Sequence, residues 1–245
     1  MKLHKLSAEA TLQQITSFHR PAAELLNSIG LDISGQTDKT LRQICAERKW
    51  NEVELLEWIK KSEAQPAEEH EYRNDSENLS GCTISGICDL LAGETHPRIE
   101  SYLSFIKENY SRVSKVHGNQ TLWLKKAAWH IDLLAEKLQV FRQFEREKLF
   151  PLSARLQKLN ERILYGDLQN LKRSISVIEK DHTAFINLMS TIRSISSDFY
   201  FDEAACSTTR ILCKRFKDLF SQLDEHISIE RKVLLPKIKE MIRES

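Results

Sequence analysis

Apolar residues recur at steps of three and four through most of the chain, which is the period of one buried face of an α-helix. Beyond residue 80 four long stretches keep that period, at about 83–109, 120–158, 167–196 and 204–242, with polar or glycine-bearing breaks around Gly118, Gly166 and Ser197. Four helices of this length joined by short loops predict an up-down-up-down bundle. Ahead of them, residues 1–62 carry shorter periods: Leu12, Ile15 and Phe18; a segment opened by Pro21 and closed by Gly30; Leu41, Ile44 and Cys45; and Val53, Leu56 and Ile59 after Asn51. These predict a small N-terminal helical domain. Residues 63–80 turn polar and charged, too poor in apolar side chains to offset the entropy of ordering, and read as a linker. The expected fold is all-α, with a domain at 1–62, a linker at 63–80 and a four-helix bundle at 81–245.

Each long apolar stripe contains a polar intruder. The first runs Cys88, Ala92, His96, Ile99, Leu103, Ile106, and the second Leu134, Leu138, Phe141, Glu145, Leu149. The third runs Leu171, Ile175, Ile178, His182, Ile186, Met189, and the last Leu219, Leu223, His226, Glu230, Leu234. A carboxylate in an apolar core costs several kcal/mol unless it is neutralised, paired or bound to a metal. The intruders fall near mid-stripe, so antiparallel packing can bring them to one height, and a shared metal ion would satisfy them together. A metal-free polar network, with His226 and Glu230 simply paired, is the rival reading.

An internal echo supports the metal. FRQFEREKLFP at 141–151 aligns with HISIERKVLLP at 226–236, placing Glu145 on Glu230, Pro151 on Pro236 and Phe141 on His226. At i and i+4, His226 and Glu230 project from one helical face and can reach one centre. Taken alone, His117 beside Gly118 is an ordinary loop histidine, and His4, His19 and His70 lie outside the bundle. His130 is eleven residues before Phe141, about 16 Å along a helix axis, too far to substitute for a ligand there. Phe141, Phe144, Phe185 and Phe220 read as packing residues, and ILCKRFK at 211–217 as a solvated helix face.

Composition narrows the classes. In 245 residues, 36 basic and 35 acidic side chains leave a formal charge of +1, with no excess to bind nucleic acid or an anionic membrane. Only 7 Gly and 5 Pro suit long helices rather than a many-stranded β fold. Five cysteines, an odd number without CxxC, read as reduced thiols. No apolar run approaches the roughly 20 residues that span a bilayer, and the first residues lack a signal-peptide core. A cytoplasmic location is expected.

The order of these residues resembles the hemerythrin-type di-iron bundle, specifically the repair-of-iron-centres family, which couples such a bundle to a small N-terminal helical domain. That family's order is a His, a second His 21 residues later, an HxxxE ending six residues before a Pro, a lone His, and another HxxxE before a Pro. Here His96 and His117 are 21 apart, Glu145 precedes Pro151 by six, His182 is alone, and His226 and Glu230 precede Pro236 at the same offset. The resemblance implies His96, His117, His182 and His226 as nitrogen ligands, with Glu145 and Glu230 bridging two non-haem irons. It further implies repair of iron–sulfur clusters damaged by nitric oxide or oxidants, with damaged or apo iron–sulfur proteins as partners and O2 or NO as small ligands. Two features depart from the family. Phe141 stands where a ligating His is expected, which leaves one iron undersaturated, weakly bound or absent. The family's adjacent cysteines are missing from GLDISGQTDKT at 30–40. Pro97 follows His96 directly and could kink the first helix. Two other roles stay open: a hemerythrin-like carrier or sensor of O2 or NO, and a degenerate, metal-poor interaction module.

Overall fold

A computed structural model describes residues 6–63, 79–119, 121–159, 164–202 and 205–244. Most of the expected linker lies outside them. Among the described residues the chain is all-α, with a single isolated β-bridge between Thr11 and Thr40.

The front helices are α1 (Leu12–Phe18), α2 (Arg20–Ser28), α3 (Leu41–Arg48) and α4 (Glu52–Glu63). α1 and α3 begin in the same way. Thr11 and Thr40 each accept from the backbone three residues on, and Gln14 and Gln43 reach back to the threonine amides, so otherwise orphaned donors are paired on both sides. Leu12, Ile15, Leu26, Leu41, Ile44, Leu55 and Ile59 form an apolar core that also takes in Phe105 and Ile211 of the long helices. The front unit is thus packed onto the bundle. Its docking is pinned by Arg210, whose Nη1 donates to the Ile29 carbonyl at 3.1 Å, and by Glu54, which accepts from both Thr208 and Arg112.

The bundle comprises α5 (Ile84–Leu90), α6 (His96–His117), α7 (Trp123–Phe144), α8 (Phe150–Leu159), α9 (Tyr165–Ser196), α10 (Ser207–Ile229) and α11 (Leu235–Glu244). π-helical turns at Leu91–Thr95, Glu145–Leu149 and Glu230–Leu234 join α5 to α6, α7 to α8 and α10 to α11, so four rods result. Each turn ends two residues before a proline: Pro97, Pro151 or Pro236. A proline in a helix lacks an N–H and its ring collides with the carbonyl four residues earlier; an inserted residue relieves that collision without breaking the rod. Beside Pro97, which could have kinked the helix, the chain makes an i to i−5 turn, in which the His96 amide donates to the Leu91 carbonyl.

Neighbouring rods run antiparallel. His117 meets Cys206 at one end of α6 and α10, and His96 faces His226 at the other. Trp123, at the start of α7, meets Phe199 just past the end of α9, and Phe141, near the end of α7, meets Phe185 further back along α9. Two details correct the sequence reading. Ile186 is 38% exposed and Phe185 takes its place in the third stripe, one residue earlier on the helix. In the 211–217 segment, Ile211, Leu212, Cys213 and Phe216 are buried and the Arg215 guanidinium lies over Tyr102 and Phe105, so this is a packed face, not a solvated one.

Candidate metal centre

Five of the six predicted ligands converge at mid-bundle. His96 opens α6, Glu145 and Glu230 each open a π-turn, His182 sits mid-way along α9, and His226 lies one turn before Glu230. All are buried, and Glu145, His226 and Glu230 have no solvent exposure at all. The ring nitrogens and carboxylate oxygens point at one another. Glu145 places Oε2 2.9 Å from His96 Nε2 and Oε1 3.0 Å from His226 Nε2. Glu230 Oε2 lies 2.7 Å from His182 Nε2 and 3.4 Å from His226 Nε2. Ligand atoms of His96, Glu145 and His226 all fall within 4.8 Å of one another.

The sixth does not join them. His117 ends α6, 21 residues after His96, which is about 31 Å along the axis. Its Nε2 is instead 3.1 Å from Cys206 Sγ. Two histidines on one straight helix at this separation cannot share a centre, so the ligand role that the resemblance implied for His117 is corrected. Phe141 is buried between the histidines, its ring 5.9 Å from that of His182 and 5.7 Å from that of His226. It offers no donor atom, so two potential ligands, His182 and Glu230, stand on its side of the cluster against His96, Glu145 and His226 on the other.

Electrostatics explain why this cluster needs a cation or protons. Burial, reinforced by the charge on His226, depresses the His96 imidazole to about 3, so it is neutral and free to donate a lone pair. Burial also opposes charge on His226, but the facing carboxylates of Glu145 and Glu230 outweigh it and lift that imidazole to about 10. Burial and then the charge of Glu230 push Glu145 well above the usual carboxylate range. Glu230 is pushed the same way by burial, but His226 and the hydrogen bond from His182 overcome this and hold it low. Without a metal, protons on His226 and Glu145 balance the site; a divalent cation can replace them.

The polar groups left over fit that exchange. Glu230 Oε1 is buried with no partner, as are the Nδ1 atoms of His96, His182 and His226. An unpaired buried carboxylate oxygen costs about 1–3 kcal/mol or more, a penalty that coordination removes. The donor set of imidazole nitrogens and carboxylate oxygens suits iron, manganese or zinc. His96, Glu145 and His226 are thus equipped to hold one cation, with the His182–Glu230 pair beside them.

Arg142 escaped the sequence reading. It is buried on α7, donates through Nη1 to the His96 carbonyl at 3.3 Å and pairs with Glu100. Its other side lines a polar cleft of about 360 Å³ with Lys107, Gln143 and Arg146. Its position one residue after Phe141, on a predicted buried stripe, was the available signal. The π-turns were also missed, although a proline six residues after the first residue of each one marked all three.

No protein-family model matches the chain. It is 24% identical over 216 residues to the iron-sulfur cluster repair protein YtfE of Edwardsiella ictaluri, an alignment covering 88% of this chain and 90% of that protein. The same identity and coverage hold for the proteins of that name from Escherichia coli O17:K52:H18 and Shigella boydii serotype 4. The chain is thus similar over 88% of its length to iron–sulfur cluster repair proteins.

Proposed function

We propose that this protein holds non-haem iron at mid-bundle and serves in the repair of iron–sulfur clusters damaged by nitric oxide or oxidants. The observation that carries this reading is the convergence of two fully buried carboxylates and three imidazoles from four separate rods. The likeness to repair proteins supplies the biological role. His96, Glu145 and His226 would hold one iron, and His182 with Glu230 would provide a poorer second position because Phe141 brings no ligand. Iron bound there would supply electron exchange and a coordination position for a small molecule.

The chain's own residues shape that position. The aromatic rings of Phe141 and Phe150 line the imidazoles and keep the centre dry; Phe150 stacks on His96 at 5.8 Å. Arg142 anchors the His96 backbone and separates the centre from the polar cleft, so a small polar molecule reaching the centre from that side passes Arg142. Glu145 and His226 would give up their protons when a cation binds and take them back when it leaves. The partners are damaged or apo iron–sulfur proteins.

Anaerobic reconstitution with Fe(II), followed by elemental analysis, tests the centre. The expected content lies between one and two irons per chain, rising in Phe141→His. Incubation of the loaded protein with a cluster-damaged iron–sulfur enzyme should restore that enzyme's activity, and Glu230→Ala should not. Two tightly held irons per chain, unchanged in Phe141→His, would overturn the asymmetry; absence of iron would overturn the centre itself.

A further inference from the structure

Away from the mid-bundle centre, the end of the bundle where α6 finishes and α10 begins brings a nucleophile and a base together. Cys206 Sγ lies 3.1 Å from His117 Nε2 and 3.4 Å from Thr209 Oγ1, although 89 residues separate the cysteine from the histidine. Both side chains are half-buried, so they are held in place yet reachable from solvent. Thiol and imidazole within hydrogen-bond reach are the arrangement that activates a cysteine nucleophile. Cys206 is also the N-cap of α10, a 23-residue helix whose amide dipoles favour negative charge at that end. One turn along, Arg210 ties down the chain just before the helix, donating to the Ala205 carbonyl at 2.9 Å and the Asp202 carbonyl at 3.3 Å.

The other cysteines set the contrast. Cys45, Cys88 and Cys213 are buried, and burial pushes their thiols up to about 11, 12 and 12, which leaves almost no thiolate to react. Cys82 is half-buried, but among the described residues no imidazole stands within hydrogen-bond reach of it. Cys82 and Cys206 are thus both half-buried, and the base is what differs.

We propose that Cys206 and His117 form a reactive pair that undergoes thiol–disulfide exchange with small soluble disulfides, making Cys206 a site of reversible modification. The imidazole takes the thiol proton and the thiolate attacks one sulfur of the disulfide. The disulfide's S–S bond breaks as the bond to Cys206 forms, and the departing thiolate takes the proton back from the imidazolium. One thiol and one disulfide go in and one of each comes out, so no further oxidant is required. The adduct forms at the edge of the front-unit contact, because Thr208, two residues on, donates to Glu54 of α4. The pair does not depend on the metal centre.

The full chain is incubated at neutral pH with oxidised glutathione, and mixed disulfides are located by peptide mass mapping over time. Cys206 should be modified at least about tenfold faster than Cys82, and His117→Phe should slow Cys206 by a similar factor while leaving Cys82 unchanged. Equal rates at Cys82 and Cys206 in the wild-type chain overturn the proposal. So does an unaltered Cys206 rate in a His117→Phe or His117→Gln chain whose Cys82 rate shows that it has folded normally. The wild-type comparison between the two half-buried cysteines decides the matter even if both histidine variants misfold.

Discussion

α6 carries a histidine at each end, and the two have opposite fates. His96 is sealed among carboxylates and aromatic rings, and burial holds its imidazole at about 3. His117, about 31 Å away along the same helix, is half-buried and faces a cysteine. The residue type and the helix are shared; the partner helix is antiparallel in both places. What differs is what α10 presents, His226 and Glu230 deep in the core at one end and its own capping cysteine at the other. Surroundings therefore assign the chemistry, and spacing along one strand of sequence does not.

The largest expected effect separates these two regions. Glu230→Ala removes the carboxylate that meets both His182 and His226, and iron content should fall to roughly a tenth or less of the wild-type value. The same variant should leave the rate of glutathione modification at Cys206 unchanged within about twofold, since sites so far apart behave independently. A parallel loss at both places would break the comparison.

Metal removal comes next. Stripping iron by chelation should lower stability by about 3 kcal/mol if free iron was near one hundred times its dissociation constant. For a chain of this length that is a fall of roughly 5–10 °C in the thermal midpoint, measurable by calorimetry. An unchanged midpoint would favour a metal-free polar network at mid-bundle.

The end where the front helices dock should respond to a different change. Arg210→Ala leaves the buried Ile29 carbonyl without its donor and removes the guanidinium from over Phe201, at a cost of about 2 kcal/mol in chemical denaturation. Iron content should not move. Combined with Glu230→Ala, its effect on stability should add to within about 0.5 kcal/mol. Smallest of all, Glu54→Gln weakens the part-exposed contact to Arg112 and should cost below about 1 kcal/mol.

Much of the bundle was legible because long helices with one apolar face announce themselves through period alone. Leu219, Leu223, His226, Glu230 and Leu234 were read as one stripe, and all five are buried. The stripe at α9 slipped by one residue, since Phe185 and Ile186 are both apolar and only packing against Phe141 chooses between them. His117 was misplaced for another reason. Its offset from His96 matched a family order, and an offset of 21 residues says nothing about a shared site until the helix is known to run straight through both. Cys206 carried no local signal, because its partner comes from a distant part of the chain.

By itself the sequence determined the helices, their apolar faces and the polar residues planted in them, because each of these depends on neighbours three or four positions away. Only the tertiary structure decided which histidines meet carboxylates at mid-bundle and which meets a thiol. Those pairings join residues 48 to 89 positions apart, and antiparallel packing of rods, with π-turns aiming Glu145 and Glu230 inward, is what brings their atoms within bonding distance.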